Sequence, residues 1–117
     1  VCSDFYFPIE RQGNDMVIPA PVNADLLDVS NWLKTSSLPY DSYYLNGNSR
    51  AWLEGNVVVD AAGSLVDILR VDVPGSVEEH AAVVRISQDG KTAFFDPDTD
   101  FIQLPGGSKK FTIRYDD

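Results

Sequence analysis

From residue 52 onward the apolar positions fall in short runs separated by turn residues, a spacing that predicts strands and hairpins. Asn56–Val59 is β-branched and apolar, and the turn residues Ala61, Ala62 and Gly63 follow Asp60. Leu65–Val73 is predicted as a second strand, after which Pro74, Gly75 and Ser76 open an acidic loop through Glu78 and Glu79. A third strand is expected over Ala81–Ile86, reversed by Gln88-Asp89-Gly90 into a fourth at Thr92–Phe95. A second loop, Asp96–Asp100, leads through Phe101 and Ile102 to Pro105-Gly106-Gly107 and a last strand, Phe111–Tyr115.

Four short strands at this spacing make an antiparallel meander. In the second strand Leu65, Leu69 and Val71 point one way while Val66 and Ile68 point the other. In the third, Val83 lies on one face and Ala82, Val84 and Ile86 on the other. Both faces are apolar, so both are expected to be covered. A lone meander cannot cover two faces, but a sheet stacked between neighbouring sheets can, which is the condition of a β-propeller blade. The fold class read from the pattern is therefore all-β. Residues 1–51 form an irregular, aromatic-rich connection, 52–104 one four-stranded blade, and 105–117 the start of a second blade with an unpaired edge.

Before residue 52 helix signals are sparse. Asp25–Leu33 has the length of a turn or two, with Asn23 or Asp25 as its N-cap. Around it lie Pro8, Pro19, Pro21 and Pro39, with Tyr40, Tyr43 and Tyr44, whose rings are expected to pack the connection onto something larger.

Composition narrows the function classes. The 117 residues fit one small domain, and 44% apolar content places it among ordered proteins. A net charge of −9 argues against nucleic acid or anionic lipid as partner, because both demand clustered Lys and Arg. The single cysteine, Cys2, excludes an internal disulfide. No apolar run approaches the roughly 20 residues of a membrane span, and residues 1–20 show no signal peptide.

Several stretches resemble a known family. WLEGNVVVDAAGSLVDILRVD (52–72), AAVVRISQDGKTAFFDP (81–97) and QLPGGSKKFTIRYD (103–116) are similar to the middle of bacterial sialidase-like glycoside hydrolases built from BNR repeats. PVNADLLDVSNW (21–32) resembles the linker before that blade, so the resemblance covers about residues 19–117. Ser87-Gln88-Asp89-Gly90-Lys91-Thr92-Ala93-Phe94 resembles the Asp box of these proteins, S-x-D-x-G-x-x-[WF], and departs from it at one glycine. In that structural turn Ser87, Asp89, Gly90 and Phe94 are the matching positions. The aspartate is expected to accept backbone N–H groups, and the aromatic ring to pack beneath the turn.

The strongest chemical candidates are Glu54 and Arg70. A three-residue loop at Ala61–Gly63 sets Asp60 opposite Ser64, and the same register sets Glu54 opposite Arg70. Opposed side chains have Cβ atoms about 4.5–5.5 Å apart, so carboxylate and guanidinium would meet. The resemblance implies that Glu54 is catalytic, supporting a tyrosine nucleophile, while Arg70 binds a substrate carboxylate with Trp52 beside it. The alternative is an ordinary cross-strand ion pair. The family's other arginines, its acid/base aspartate and its tyrosine have no matching motif around Arg11, Arg50, Arg85 or Arg114. This stretch is therefore expected to be inactive in isolation.

Three other signals are weaker. Asp96, Asp98 and Asp100 have the spacing of a calcium loop without its glycine or closing glutamate, and read as a turn. His80, the single histidine, has no second ligand near it, so no metal or cofactor is expected. Trp32, Tyr40, Tyr43, Tyr44 and Trp52 suit a sugar-stacking platform, but core packing is the expected role. The resemblance thus implies a piece of a secreted or periplasmic exo-glycosidase acting on glycan termini. Its partners would be a glycan and the other blades of its propeller. The alternative is a non-catalytic carbohydrate-binding or protein-interaction propeller, and self-association through exposed edges is the other way to cover the sheet.

Overall fold

The computed structural model describes residues 14–76, 79–104 and 111–114. Expectations placed on Cys2, Pro8, Arg11, Glu78, Pro105-Gly106-Gly107 and Tyr115 lie outside the described residues. The chain is all-β in character. Strands β1 (Asn14–Asp15) and β2 (Leu38–Pro39) pair with each other, and β3 (Ala51–Val59), β4 (Leu65–Asp72), β5 (Glu79–Ile86), β6 (Ala93–Phe94) and β7 (Phe101–Leu104) make an antiparallel sheet.

The sheet runs β3-β4-β5, and its outermost position is shared by two short strands. β6 pairs with Arg85 and Ile86 at one end of β5, and β7 pairs with residues 79–82 at the other. Between them the Asp96–Asp100 turn interrupts the ladder, and the Val83 N–H reaches the Asp100 carbonyl across the gap at 2.9 Å. The fourth strand predicted at Thr92–Phe95 is thus shorter than expected and continues after the loop.

The β3–β4 hairpin is closed by local chemistry. Gly63 adopts φ +81°, the left-handed position that ends a three-residue hairpin loop. One Asp60 side-chain oxygen accepts the N–H groups of Ala62 and Ser64 at 2.9 and 2.8 Å. The Asp60 N–H donates to the Ser64 carbonyl at 2.8 Å. This loop sets the register Val59–Leu65, Val58–Val66 and Val57–Asp67.

The core lies on one face. Leu69, Val71, Ala82, Val84 and Ile86 from the sheet meet Val17 from the preceding segment. Trp52 joins them through a ring cluster: its centroid is 5.1 Å from Phe95, 5.4 Å from Tyr44 and 5.8 Å from Tyr40. The edge-on pairs with Tyr40 and Phe95 add about 0.5–1.5 kcal/mol each beyond their buried area. The segment before β3 is therefore integral to the core: the Thr35 N–H donates to the Val17 carbonyl, and the Val17 N–H to Thr35 Oγ1, both at 3.0 Å. On the other face Val66 and Ala81 are buried, Ile68 and Val83 half-buried, and Phe94 exposed. Both faces are apolar, as the alternation predicts, but they are unequally covered.

Two local expectations are corrected. The predicted short helix is a 3-10 turn, Val29–Asn31, and its N-cap is Asp28 rather than Asn23 or Asp25. Asp28 holds the Ser30 N–H at 2.9 Å and the Ser30 hydroxyl at 2.7 Å, while Asp25 closes the preceding turn through the Leu27 N–H. The last predicted strand makes no backbone ladder among the described residues. Phe111 and Ile113 are held instead by the Asn56 side chain, which donates to the Phe111 carbonyl at 3.1 Å and accepts the Ile113 N–H at 3.4 Å.

Candidate functional site

The site begins at an irregularity in β3. Near the turn Gly55 pairs with Leu69, but farther along Trp52 pairs with Val71, so Leu53 and Glu54 together oppose the single residue Arg70. This β-bulge changes which face the strand presents. Residues two apart on a regular strand share a face, yet Trp52 is 2% exposed in the core while Glu54 stands 58% exposed on the opposite face. The bulge lets one short stretch serve both the core and the site.

Across it Arg70 Nη1 lies 3.3 Å from Glu54 Oε2. The pairing expected from the hairpin register is present: the regular ladder from the turn through the Gly55–Leu69 pair continues to Glu54 opposite Arg70, and the bulge beyond it returns Trp52 to the core face. Arg70 is the more enclosed partner, with 18% of its side chain exposed, and its Nε is buried with no hydrogen-bond acceptor. Glu54, Gly55, Asn56, Arg70 and Phe111 line a cleft of about 270 Å³. The two hydrogen bonds of Asn56 fix the backbone around Phe111 as one wall.

Behind this cleft, on the core face, Asp67 is fully buried and neither carboxylate oxygen has a hydrogen-bond partner. Burial pushes its carboxyl up to about 8, and the charge of Asp15 acts in the same direction. The Asp67 carboxylate packs directly on Gly55: a Cβ there would meet both oxygens and stand 2.9 Å from Cγ. Asp67 belongs to none of the motifs visible in the sequence. Its signal was parity, since it shares a face with Leu65, Leu69 and Val71.

The other predicted residues separate into turn, core and surface. In the Asp-box-like turn, Asp89 Oδ1 accepts from the Ser87 hydroxyl at 2.6 Å and the Lys91 N–H at 3.0 Å, which holds its carboxyl below the usual range. Ser87 Oγ accepts the Thr92 N–H at 2.9 Å, and Gly90 has φ +71°. Phe94 does not pack beneath this turn. It is 54% exposed, and the next residue, Phe95, turns into the aromatic cluster instead. Trp52 is likewise corrected as a substrate-binding residue, because its buried ring is enclosed by Tyr40, Tyr44, Phe95 and Phe101.

The Asp96–Asp100 segment is a turn in which Asp96 Oδ1 accepts the Asp98 N–H at 3.0 Å and the Asp100 carboxylate is engaged on both oxygens. Asp100 Oδ2 accepts from Arg85 Nη1 at 2.6 Å and from the Asp96 N–H at 2.8 Å, while Thr99 donates to Oδ1. Burial alone would raise Asp100, yet these donors hold it below the ordinary carboxylate range. His80, at the start of β5, lies beside a second cleft with Asn46, Asn48 and Ser76. Tyr43 is 85% exposed, whereas Trp32 Nε1 is tied to the Leu26 carbonyl at 3.0 Å, so no shared platform of rings forms. Comparison of the chain with protein-family models, with curated proteins and with solved structures finds no match.

Proposed function

We propose that this chain is part of a sialidase-like propeller and that the Glu54–Arg70 cleft receives the carboxylate end of an acidic sugar. The observation that carries this reading is the Arg70 guanidinium, which lines the cleft and whose contact to Glu54 is long at 3.3 Å. A guanidinium offers five N–H donors in a planar fork, and one contact to Glu54 leaves most of them for a ligand. At about 270 Å³ the cleft is slightly below the roughly 300 Å³ at which small-molecule sites begin. It suits one end of a sugar acid better than a whole sugar, so neighbouring blades would complete the site.

The path of the chain supports the propeller reading. β7 is at the outer edge of the sheet, yet residues 111–113 lie against Asn56 on β3, at the inner edge. A chain that leaves one blade from its outer strand and opens the next at the centre follows that route. In the complete enzyme Glu54 would support a nucleophile contributed by another blade, and hydrolysis would release a terminal acidic sugar.

Binding is the direct test. N-acetylneuraminic acid titrated into labelled protein should shift the Arg70 side-chain N–H signals. Arg70→Ala should abolish the response and Arg70→Lys weaken it about tenfold, the equivalent of about 1.4 kcal/mol. A neutral sugar that produces the same shifts, or no response to the acid, overturns the reading. In the whole propeller Glu54→Gln should lower kcat for sialoside hydrolysis. Binding without any turnover would instead identify a non-catalytic carbohydrate-binding module.

A further inference from the structure

The carboxyl group of Asp67 is buried on the core face, directly behind the strand that carries Glu54, and nothing in the proposed chemistry uses it. We propose that Asp67 is a positioning residue: its carboxyl, packed on Gly55, holds β3 in the register that sets the neighbouring Glu54 opposite Arg70. The inference rests on the Glu54–Arg70 cleft being the functional site, but its readout is the ion pair and not the sugar.

The geometry makes the connection short. Gly55 follows Glu54 directly and closes the bulge, and Asp67 occupies the space into which a side chain at position 55 would project. Glycine is required there because the carboxyl group is already in that space. Asp67 in turn has little freedom to move away. In the sheet register it stands between Val57 on β3 and Val84 on β5, with Leu65 and Leu69 on its own strand and face. Among the described residues the charged group acting on it is Asp15 of β1, and that charge repels.

An uncharged carboxyl tolerates these surroundings, but a carboxylate does not. Ionisation without a cation or donor costs several kcal/mol in an apolar site, and the usual relief is movement toward water. Here the backbone against the carboxyl is Gly55, next to the bulge, and the open cleft lies beyond it. Deprotonation of Asp67 therefore loosens the stretch Leu53–Gly55 and lengthens the contact between Glu54 and Arg70. A strand-internal acid would in this way couple the pH of the medium to the shape of the cleft.

The experiment is a pH titration of the carboxyl carbons and the Arg70 side-chain nitrogens by NMR. In the unmodified protein Asp67 should titrate near 8, and the Glu54 and Arg70 signals should show a step with the same midpoint. Asp67→Asn keeps the shape, removes the charge, and should abolish that step while leaving the ion pair formed. Gly55→Ala, which puts a Cβ against the carboxyl, should give Arg70 signals of the unpaired form at every pH. If Asp67→Asn does not fold, the titration of the unmodified protein still decides. Glu54 and Arg70 signals that stay flat while Asp67 titrates would overturn the proposal, as would an Asp67 midpoint in the ordinary carboxylate range. Failure to bind any acidic sugar would leave these outcomes untouched and count against the function alone.

Discussion

Two aromatic residues of similar size, Trp52 and Phe94, have opposite roles. Trp52 is enclosed by four rings, and its loss would leave a large cavity in the core. Phe94 stands on the exposed outer strand. Trp52→Ala should therefore cost about 3–5 kcal/mol, and Phe94→Ala should stay within about 0.5 kcal/mol, as read from urea unfolding midpoints. The sequence offered Trp52 as a substrate-binding ring and Phe94 as the ring beneath the Asp-box-like turn, and alternation alone could not separate buried from exposed. Phe94 and Phe95 are adjacent, so a one-residue error of phase exchanges buried ring for exposed ring. For Trp52 the phase was hidden by the bulge, which no periodic pattern announces. Gly55 was the available sign, since a glycine inside a β-branched run often marks such an irregularity.

Whole elements were easier to read than single residues. The β3–β4 register followed from one three-residue loop whose residues, Asp60 and Gly63, have the chemistry that the loop requires. That register was enough to bring Glu54 and Arg70 together. The outer strand was less legible, because the Asp96–Asp100 loop depends on a contact distant in sequence. Arg85 on β5 reaches the buried Asp100, and that carboxylate also holds the Asp96 N–H. The loop thus joins β6 and β7 to β5 through a single side chain. Asp100→Ala would strand two N–H donors and the Thr99 hydroxyl and should cost about 2–4 kcal/mol. Its signature should be selective: amide exchange should accelerate in β6 and β7 before it does in β3 and β4.

At the scale of the molecule, two buried aspartates pull stability in opposite directions with pH. Asp100 is held below the ordinary carboxylate range, so its contribution is present near neutrality and lost as pH falls through its folded value. Asp67 behaves in the reverse sense. The unfolded chain releases its proton near 3.8 and the folded chain near 8, so the folded state holds one more proton between those values. Stability from this group therefore falls as pH rises through that window, by at most about 1.4 kcal/mol per pH unit for one proton. Melting temperature should decline from mildly acidic to mildly alkaline pH, and Asp67→Asn should flatten that limb. A slope unchanged by the substitution would mean that Asp67 ionises as an ordinary surface acid does.

The bulge also bears on how this chain tolerates change in length. Every residue of β3 before the bulge has its inward or outward direction set by the one extra position among Leu53, Glu54 and Arg70. Deleting Leu53 and deleting Glu54 would have different consequences. Without Leu53 strict alternation returns, with Trp52 still opposite Val71 and Glu54 still opposite Arg70; without Glu54 the same alternation sets Leu53 opposite Arg70 and the cleft loses its carboxylate. The loop at Ala61–Ala62 is exposed and stands beyond the last ladder pair, so extra residues there would lengthen a tip and disturb neither face. Related chains that keep this architecture should therefore vary freely in length at the hairpin tip, and between the tryptophan and the glycine by no more than the one bulged residue, with the acid kept next to the glycine.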